Sequence, residues 1–262
     1  YSTLAAAQRR VDRYAANGTP AAVNLTQVKQ SSVKVAGGFG PVVYEPSQMS
    51  WLNKPTAEGI ELASRSFSAI LVKDQLNTAI AASIAAISNQ ATATNDVSGS
   101  AGLSYTALNN AHAKFGDSSM NIVANVMNGA AYHKFVGLNI ANAGVLFKAD
   151  GVLVVDILGK AVVVTDAPGL YVTGTPNKYK VLGLVSGGVV VQDGGDLITN
   201  IQTTNGKERI ETSFQADYTF GLGIKGYTWD ETNGGKSPTD AEIATGSNWD
   251  LVAGDIKYSA GV

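Results

Sequence analysis

Two histidines, His112 and His133, are the side chains best suited to proton transfer or metal ligation near neutral pH, and each lies in a run with helical spacing. His112 follows Leu108 by about one helical turn, and His133 stands between Tyr132 and Phe135. A metal site needs further imidazoles or carboxylates converging on them, so packing or subunit contact is the better reading of both. Asp193-Gly194-Gly195-Asp196 has the oxygen ligands for a divalent cation, but acids beside glycines are also the usual composition of a tight turn. Ser186 precedes Gly187-Gly188 and reads as a turn residue rather than a nucleophile. Gly37-Gly38-Phe39-Gly40 is followed by Pro41 and an extended segment, where a dinucleotide fingerprint requires a helix. The chain has no Gly-x-Ser-x-Gly elbow, no His-Glu-x-x-His helix and no phosphate-binding Gly-x-x-x-x-Gly-Lys-Ser/Thr loop. With zero cysteines it has no thiolate chemistry and no disulfides, which fits a cytoplasmic product. The expectation is a protein without catalytic, cofactor-binding or metal residues, whose function lies in its surfaces.

The elements that would position such surfaces come in an uncommon order. From Pro55 to Gln90 there is no internal proline, and Ile60, Ala63, Phe67, Leu71, Leu76, Ile80, Ile84 and Ile87 recur mostly at steps of three or four. This predicts one long amphipathic helix, with Thr56 as N-cap after Pro55 and Glu58 and Glu61 near its positive end. About 33 helical residues would reach roughly 50 Å. Ahead of it, residues 1–46 alternate polar stretches with Val23-Asn24-Leu25 and Val33-Lys34-Val35, as in a long two-stranded ribbon. Its segment 9–36 has few large apolar side chains, so order there is expected to come from a neighbouring molecule.

Beyond the helix, residues 104–115 are expected to be helical, 121–127 a buried strand, and Tyr132, Phe135, Val136 and Ile140 one face of another helix. Residues 152–155 and 161–164 read as central strands, giving a small α/β layer. From Tyr179 onward, strands are separated by Gly187-Gly188, Gly194-Gly195 and Asn205-Gly206, and residues 207–229 alternate as a strand with one wet face. Ser237 is expected to cap a short helix beginning at Pro238, and residues 251–258 to form a closing strand.

Composition narrows the function class. Hydrophobic residues make up 45% of the 262 and charged residues 15%, which is sparse for a monomer that must cover its own surface. A net charge of −2 argues against a dedicated nucleic-acid reader, while leaving a container of nucleic acid open. Arg9, Arg10 and Arg13, interrupted by Asp12, are the nearest approach to a basic patch and are expected at a solvated or subunit-contact surface. No uninterrupted apolar run approaches the ~18 residues of a membrane span, and the first residues lack the pattern of a secretory signal. The first residue is Tyr1, so the numbering is expected to begin inside a longer translation product.

Gly40-Pro41-Val42-Val43-Tyr44-Glu45-Pro46, Val72-Lys73-Asp74-Gln75-Leu76-Asn77-Thr78-Ala79-Ile80-Ala81-Ala82 and the run from Ser237 to Asp250 resemble, in order, the major capsid proteins of tailed bacteriophages, which have the Hong Kong 97-like fold. The resemblance implies an α+β fold: an extended hairpin loop over 1–46, a peripheral domain with its spine helix over 47–100, a mostly axial α/β domain over 101–200, and return strands of the peripheral domain with the C-terminal segment over 201–262. It implies a structural, self-assembling subunit of an icosahedral viral shell around double-stranded DNA, held without sequence-specific contacts. Its partners would be copies of itself in pentamers and hexamers, with room for portal, scaffold and decoration proteins, and with no membrane and no cofactor. Such a subunit is assembled in the host cytoplasm and ends in the virion. Ahead of the hairpin, a counterpart of the family's N-terminal arm is expected to be missing from residues 1–262. Arg9, Arg10, Arg13, Val33 and Val35 are the candidate subunit contacts. The alternatives are an encapsulin-like nanocompartment shell and, from a different class, an α/β hydrolase with an unrecognised site.

Overall fold

The computed structural model describes residues 11–19, 27–45, 56–100, 102–141, 156–157, 159–206 and 208–262. The long helix is present as α1, Thr56–Ser88, 33 residues. Thr56 is its first helical residue rather than its cap, and Pro55 lies outside the described residues. Ile80, Ile84 and Ile87 are buried, as their spacing predicts. The helix is amphipathic only in its outer half, however. Over residues 78–87 every side chain except that of Ala81 is buried, and five of the ten residues are alanines that let neighbours approach on all sides. At Gly246 a side chain would meet the Ala85 carbonyl at 2.8 Å, so the 3₁₀ turn Gly246–Asn248 sits directly on the helix backbone. Over Arg65–Ser88 the helix is apolar enough by length and composition to cross a bilayer, and half of its most apolar stretch is buried inside the protein.

The helix crosses a sheet built around one long strand. Strand β1 (Val33–Tyr44) pairs antiparallel with β10 (Glu211–Ile224), from Val33 opposite Leu222 to Tyr44 opposite Thr212, with a bulge between Phe39 and Val42. On the other side of β10, strand β8 (Val189–Asp193) covers 220–224 and strand β9 (Ile198–Thr204) covers 211–217. This corrects the freestanding ribbon expected over 1–46. Its second half is a strand of the subunit's own sheet, because Val33 and Val35 find an apolar surface beside Leu222 and Phe220. Residues 33–36 are therefore ordered within their own subunit, whereas Val23, Leu25 and most of the first half lie outside the described residues.

A second sheet orders four strands as β3–β4–β2–β7: β3 is Asp156–Ile157, β4 Lys160–Val164, β2 Ile122–Met127 and β7 Leu182–Val185. β2 and β4 are parallel, and β7 runs antiparallel to β2. Helices α2 (Tyr105–Ala113) and α3 (Gly129–Ala141) supply Leu108, Ala131 and Phe135 to a small core with Met127 and Val162. The expected α/β layer is thus present, although residues 152–155 lie outside the described residues. A short hairpin, β5 (Tyr171–Val172) with β6 (Lys178–Tyr179), flanks it.

The C-terminal region differs from expectation in two places. Thr239, not Ser237, caps the short helix Asp240–Ile243: its hydroxyl accepts from Glu242 N while the Glu242 carboxylate accepts from Thr239 N. Pro238 therefore precedes the cap, leaving Thr239 the extended backbone a cap needs. Strand β12 (Trp249–Leu251) pairs with β11 (Tyr227–Trp229) and stops where Val252 and Ala253 turn their N–H groups onto the Gly226 carbonyl. A 3₁₀ turn, Ile256–Tyr258, replaces the rest of the expected strand. Extended pairing resumes beyond it, where Gly183 N donates to Val262 O at 2.7 Å and Val185 N to Ala260 O at 3.0 Å, fastening the chain along β7. Trp229 and Trp249 meet edge to face at 4.9 Å, and their indole N–H groups donate to Gly235 O and Ile243 O.

Candidate assembly surfaces

The residues singled out for chemistry are occupied structurally. Asp196 accepts from Thr219 N at 3.0 Å and Thr219 Oγ1 at 2.6 Å, and pairs with Lys34 Nζ at 3.2 Å. These partners, the Thr219 hydroxyl foremost, hold its carboxyl below the usual range. Asp193 accepts from Gly195 N, so the double-glycine corner is a turn that ties β10 to β1 at mid-sheet. His112 is buried, with Nε2 at 2.9 Å from Asn125 Oδ1, and burial pushes its pKa down. His133 is exposed at the surface, edge to face with Tyr132. Ser186 is an exposed turn residue. Among the described residues no three His, Cys, Asp or Glu side chains gather as a metal site. A cleft of about 490 Å³ has Ile84, Ile87 and Leu108 in its floor and Lys134, Lys178 and Lys180 at its rim, with no histidine beside its serines.

Of the expected subunit contacts, Arg13 is exposed in a turn next to Asp12 and Tyr14, and Arg9 and Arg10 lie outside the described residues. Val33 and Val35 are 3% and 4% exposed, so their side chains are committed to the subunit's own core, and the contact role expected for them is withdrawn. The alternating Val-Lys-Val pattern does form a strand, but the surface facing it is internal, supplied by residues 220–222 far along the chain.

The apolar surface left open lies elsewhere. Ile198 and Ile201 are 67% and 63% exposed, and Leu197, Ile210, Val42 and Val43 are exposed around them. An odd step separates Ile198 from Ile201, so they point to opposite faces of β9 and one covering layer could not bury both. That non-alternating spacing is the sequence signal for an unburied strand. On the outer half of α1, Ile70, Val72 and Leu76 are exposed as well. A ring cluster fastens the two regions together: Phe67 lies 5.5 Å from Phe39 and 6.2 Å from Phe214, and Tyr218 OH donates to Asp74 Oδ2 at 2.7 Å. Burial, then the Asp74 carboxylate, holds the Tyr218 phenol protonated well above its usual range. Arg209 pairs with Glu45 at 3.2 Å where β10 begins beside the end of β1. Apolar side chains standing in water along two elements of a folded subunit mark surfaces for other protein.

The family model for Gp13-like proteins, described as major capsid protein 13-like, matches residues 1–262. The chain belongs to this family of major capsid proteins. It is a structural capsid subunit, a self-assembling protein of the virion, and the exposed strand and helix are surfaces of a shell component. Among solved structures, the capsid of cyanophage P-SCSP1u is similar over 80% of this chain and 77% of its own, with 14% sequence identity and a TM-score of 0.43. No curated protein sequence matches the capsid subunit.

Proposed function

We propose that this capsid subunit has the Hong Kong 97-like organisation and closes an icosahedral shell of pentamers and hexamers around double-stranded DNA. The observation that carries the reading is the 33-residue helix α1 packed against a sheet whose central strand, β10, is 14 residues long. Helix α1, the first sheet and the β11–β12 region would form the peripheral domain, and the second sheet with α2 and α3 the axial domain at the symmetry axes. The strand pair β9–β10 with the end of β1 supports an extended loop that reaches a neighbour. A net charge of −2 suits a wall that encloses DNA without reading it. Portal, scaffold and decoration proteins would be the further partners, and assembly would take place in the host cytoplasm.

Purified particles test this. Negative-stain microscopy and light scattering should find closed shells, and nuclease treatment of particles from phage-producing cells should leave protected double-stranded DNA. A uniform monomer or dimer under all salt conditions would overturn the shell reading. Shells holding a protein cargo in place of nucleic acid would make the subunit a nanocompartment wall.

A further inference from the structure

We propose that the outer edge of β9 is a self-pairing edge, on which a second copy of this chain adds its own β9 antiparallel across a two-fold axis centred on Ile201; the inference rests on the shell reading. Strand β9 pairs with β10 along one side, from Ile198 opposite Asp217 to Thr204 opposite Glu211. Among the described residues no strand pairs with its other side, and all seven of its residues are exposed. A lone edge of that length is normally protected by lysine, proline, a bulge or an inward charge. Ile198-Thr199-Asn200-Ile201-Gln202-Thr203-Thr204 contains no charge and no proline, and its register against β10 runs without a shift.

The composition names the occupant. Laid antiparallel on itself about Ile201, the strand sets Ile201 opposite Ile201, Asn200 opposite Gln202, Thr199 opposite Thr203 and Ile198 opposite Thr204. Every pair is then alike in chemistry: aliphatic with aliphatic, amide with amide, hydroxyl with hydroxyl, and two β-branched residues at the end, which are the pairings that stabilise adjacent strands. Shifting the centre to Asn200 breaks the match, placing Thr199 on Ile201 and Ile198 on Gln202. A self-complementary patch is the requirement of an isologous contact, and a capsid subunit is surrounded by copies of itself. Backbone pairing along the edge supplies affinity, and the matched side chains supply register.

The absence of cysteine makes the register directly measurable. Shells of Ile201→Cys, mildly oxidised, should give a disulfide dimer on a non-reducing gel, because position 201 of each copy would face position 201 of its neighbour. Thr199→Cys alone should give far less, and a co-assembled mixture of Thr199→Cys with Thr203→Cys should restore the dimer. In parallel, Ile201→Lys and Ile201→Glu should each lose shell yield, while an equal mixture regains it. Wild-type shells together with no dimer from Ile201→Cys, or Ile201→Lys shells at normal yield, would overturn the self-pairing and leave the shell reading standing. If the wild-type chain forms no shells, the shell reading fails. The same oxidation on concentrated free subunits then decides the edge alone, a dimer at 201 supporting the pairing and its absence ending it.

Discussion

Strand β10 passes through two surroundings without changing its own pattern. In its second half, Tyr218, Phe220, Leu222 and Ile224 alternate inward beneath α1, with β1 and β8 on either side. In its first half, Thr212 and Ala216 keep the alternation, but the neighbour is β9, which is exposed throughout. The sheet is three strands wide in both halves. What differs is the second layer, since Phe220, Leu222 and Ile224 join the buried stretch of α1 in one core, whereas among the described side chains the outer half meets the helix through Phe67 against Phe214. One half is completed by its own chain, and the other waits for a second.

The contrast is most sharply broken from inside. Ile84→Asp places a charge with no partner on the buried stretch of α1, where Ile84 packs beside Gly169, and should cost several kcal/mol, enough to collapse soluble yield in a protein whose whole stability is about 5–15 kcal/mol. A soluble variant with an unchanged thermal melt would show that the helix does not depend on that face. Trp249→Ala removes one of the two packed indoles and should cost about 3–5 kcal/mol, read from urea unfolding. At Gly37 an added Cβ would stand 2.5 Å from the Tyr218 ring, whose far end is hydrogen-bonded to Asp74. Gly37→Ala should therefore cost about 1–3 kcal/mol, and a smaller loss in the Tyr218→Phe background would locate the strain in that ring.

A pH series addresses the second core. Burial lowers the His112 pKa, so as pH falls below its ordinary 6.5 the unfolded chain takes up a proton that the folded chain refuses. Stability from this group is complete above pH 6.5 and is lost on acidification, at up to about 1.4 kcal/mol per pH unit, and His112→Gln should flatten that part of the profile. The smallest effect on folding belongs to the open half. Ile198→Asp should leave the free subunit's stability within about 0.5 kcal/mol while abolishing shell formation. A large stability loss there would mean that β9 is covered within its own subunit.

The legible parts of the sequence are those where one periodicity meets one environment. Isoleucines at steps of three and four announce α1, and the alternation after Ile210 announces β10. What stays hidden depends on distant chain. Val33 and Val35 have the same local pattern whether their partner is another molecule or residues 220–222. The all-round burial of residues 78–87 is concealed by its alanines, which are compatible with either a wet or a dry face. The helix cap lies two residues from its expected place because Ser237 and Thr239 carry the same hydroxyl, and only the backbone beside Pro238 separates them. The open surfaces are announced by the low charge fraction and, on β9, by the odd step between Ile198 and Ile201.

The pairing of Val33 with Leu222 also sets a timetable for synthesis. A ribosome adding about 5–20 residues per second needs roughly 10–40 s between these two positions. Through that interval β1 and the apolar flank of α1 have emerged without the strand that covers them, so the nascent subunit exposes apolar surface that the finished one buries. Long-range pairing of this kind is slow to form. A chain released early, before residue 211, would lack the central strand on which β1, β8 and β9 are all hung. Such a product has no sheet to present to a neighbour and could not serve as a tile of the wall.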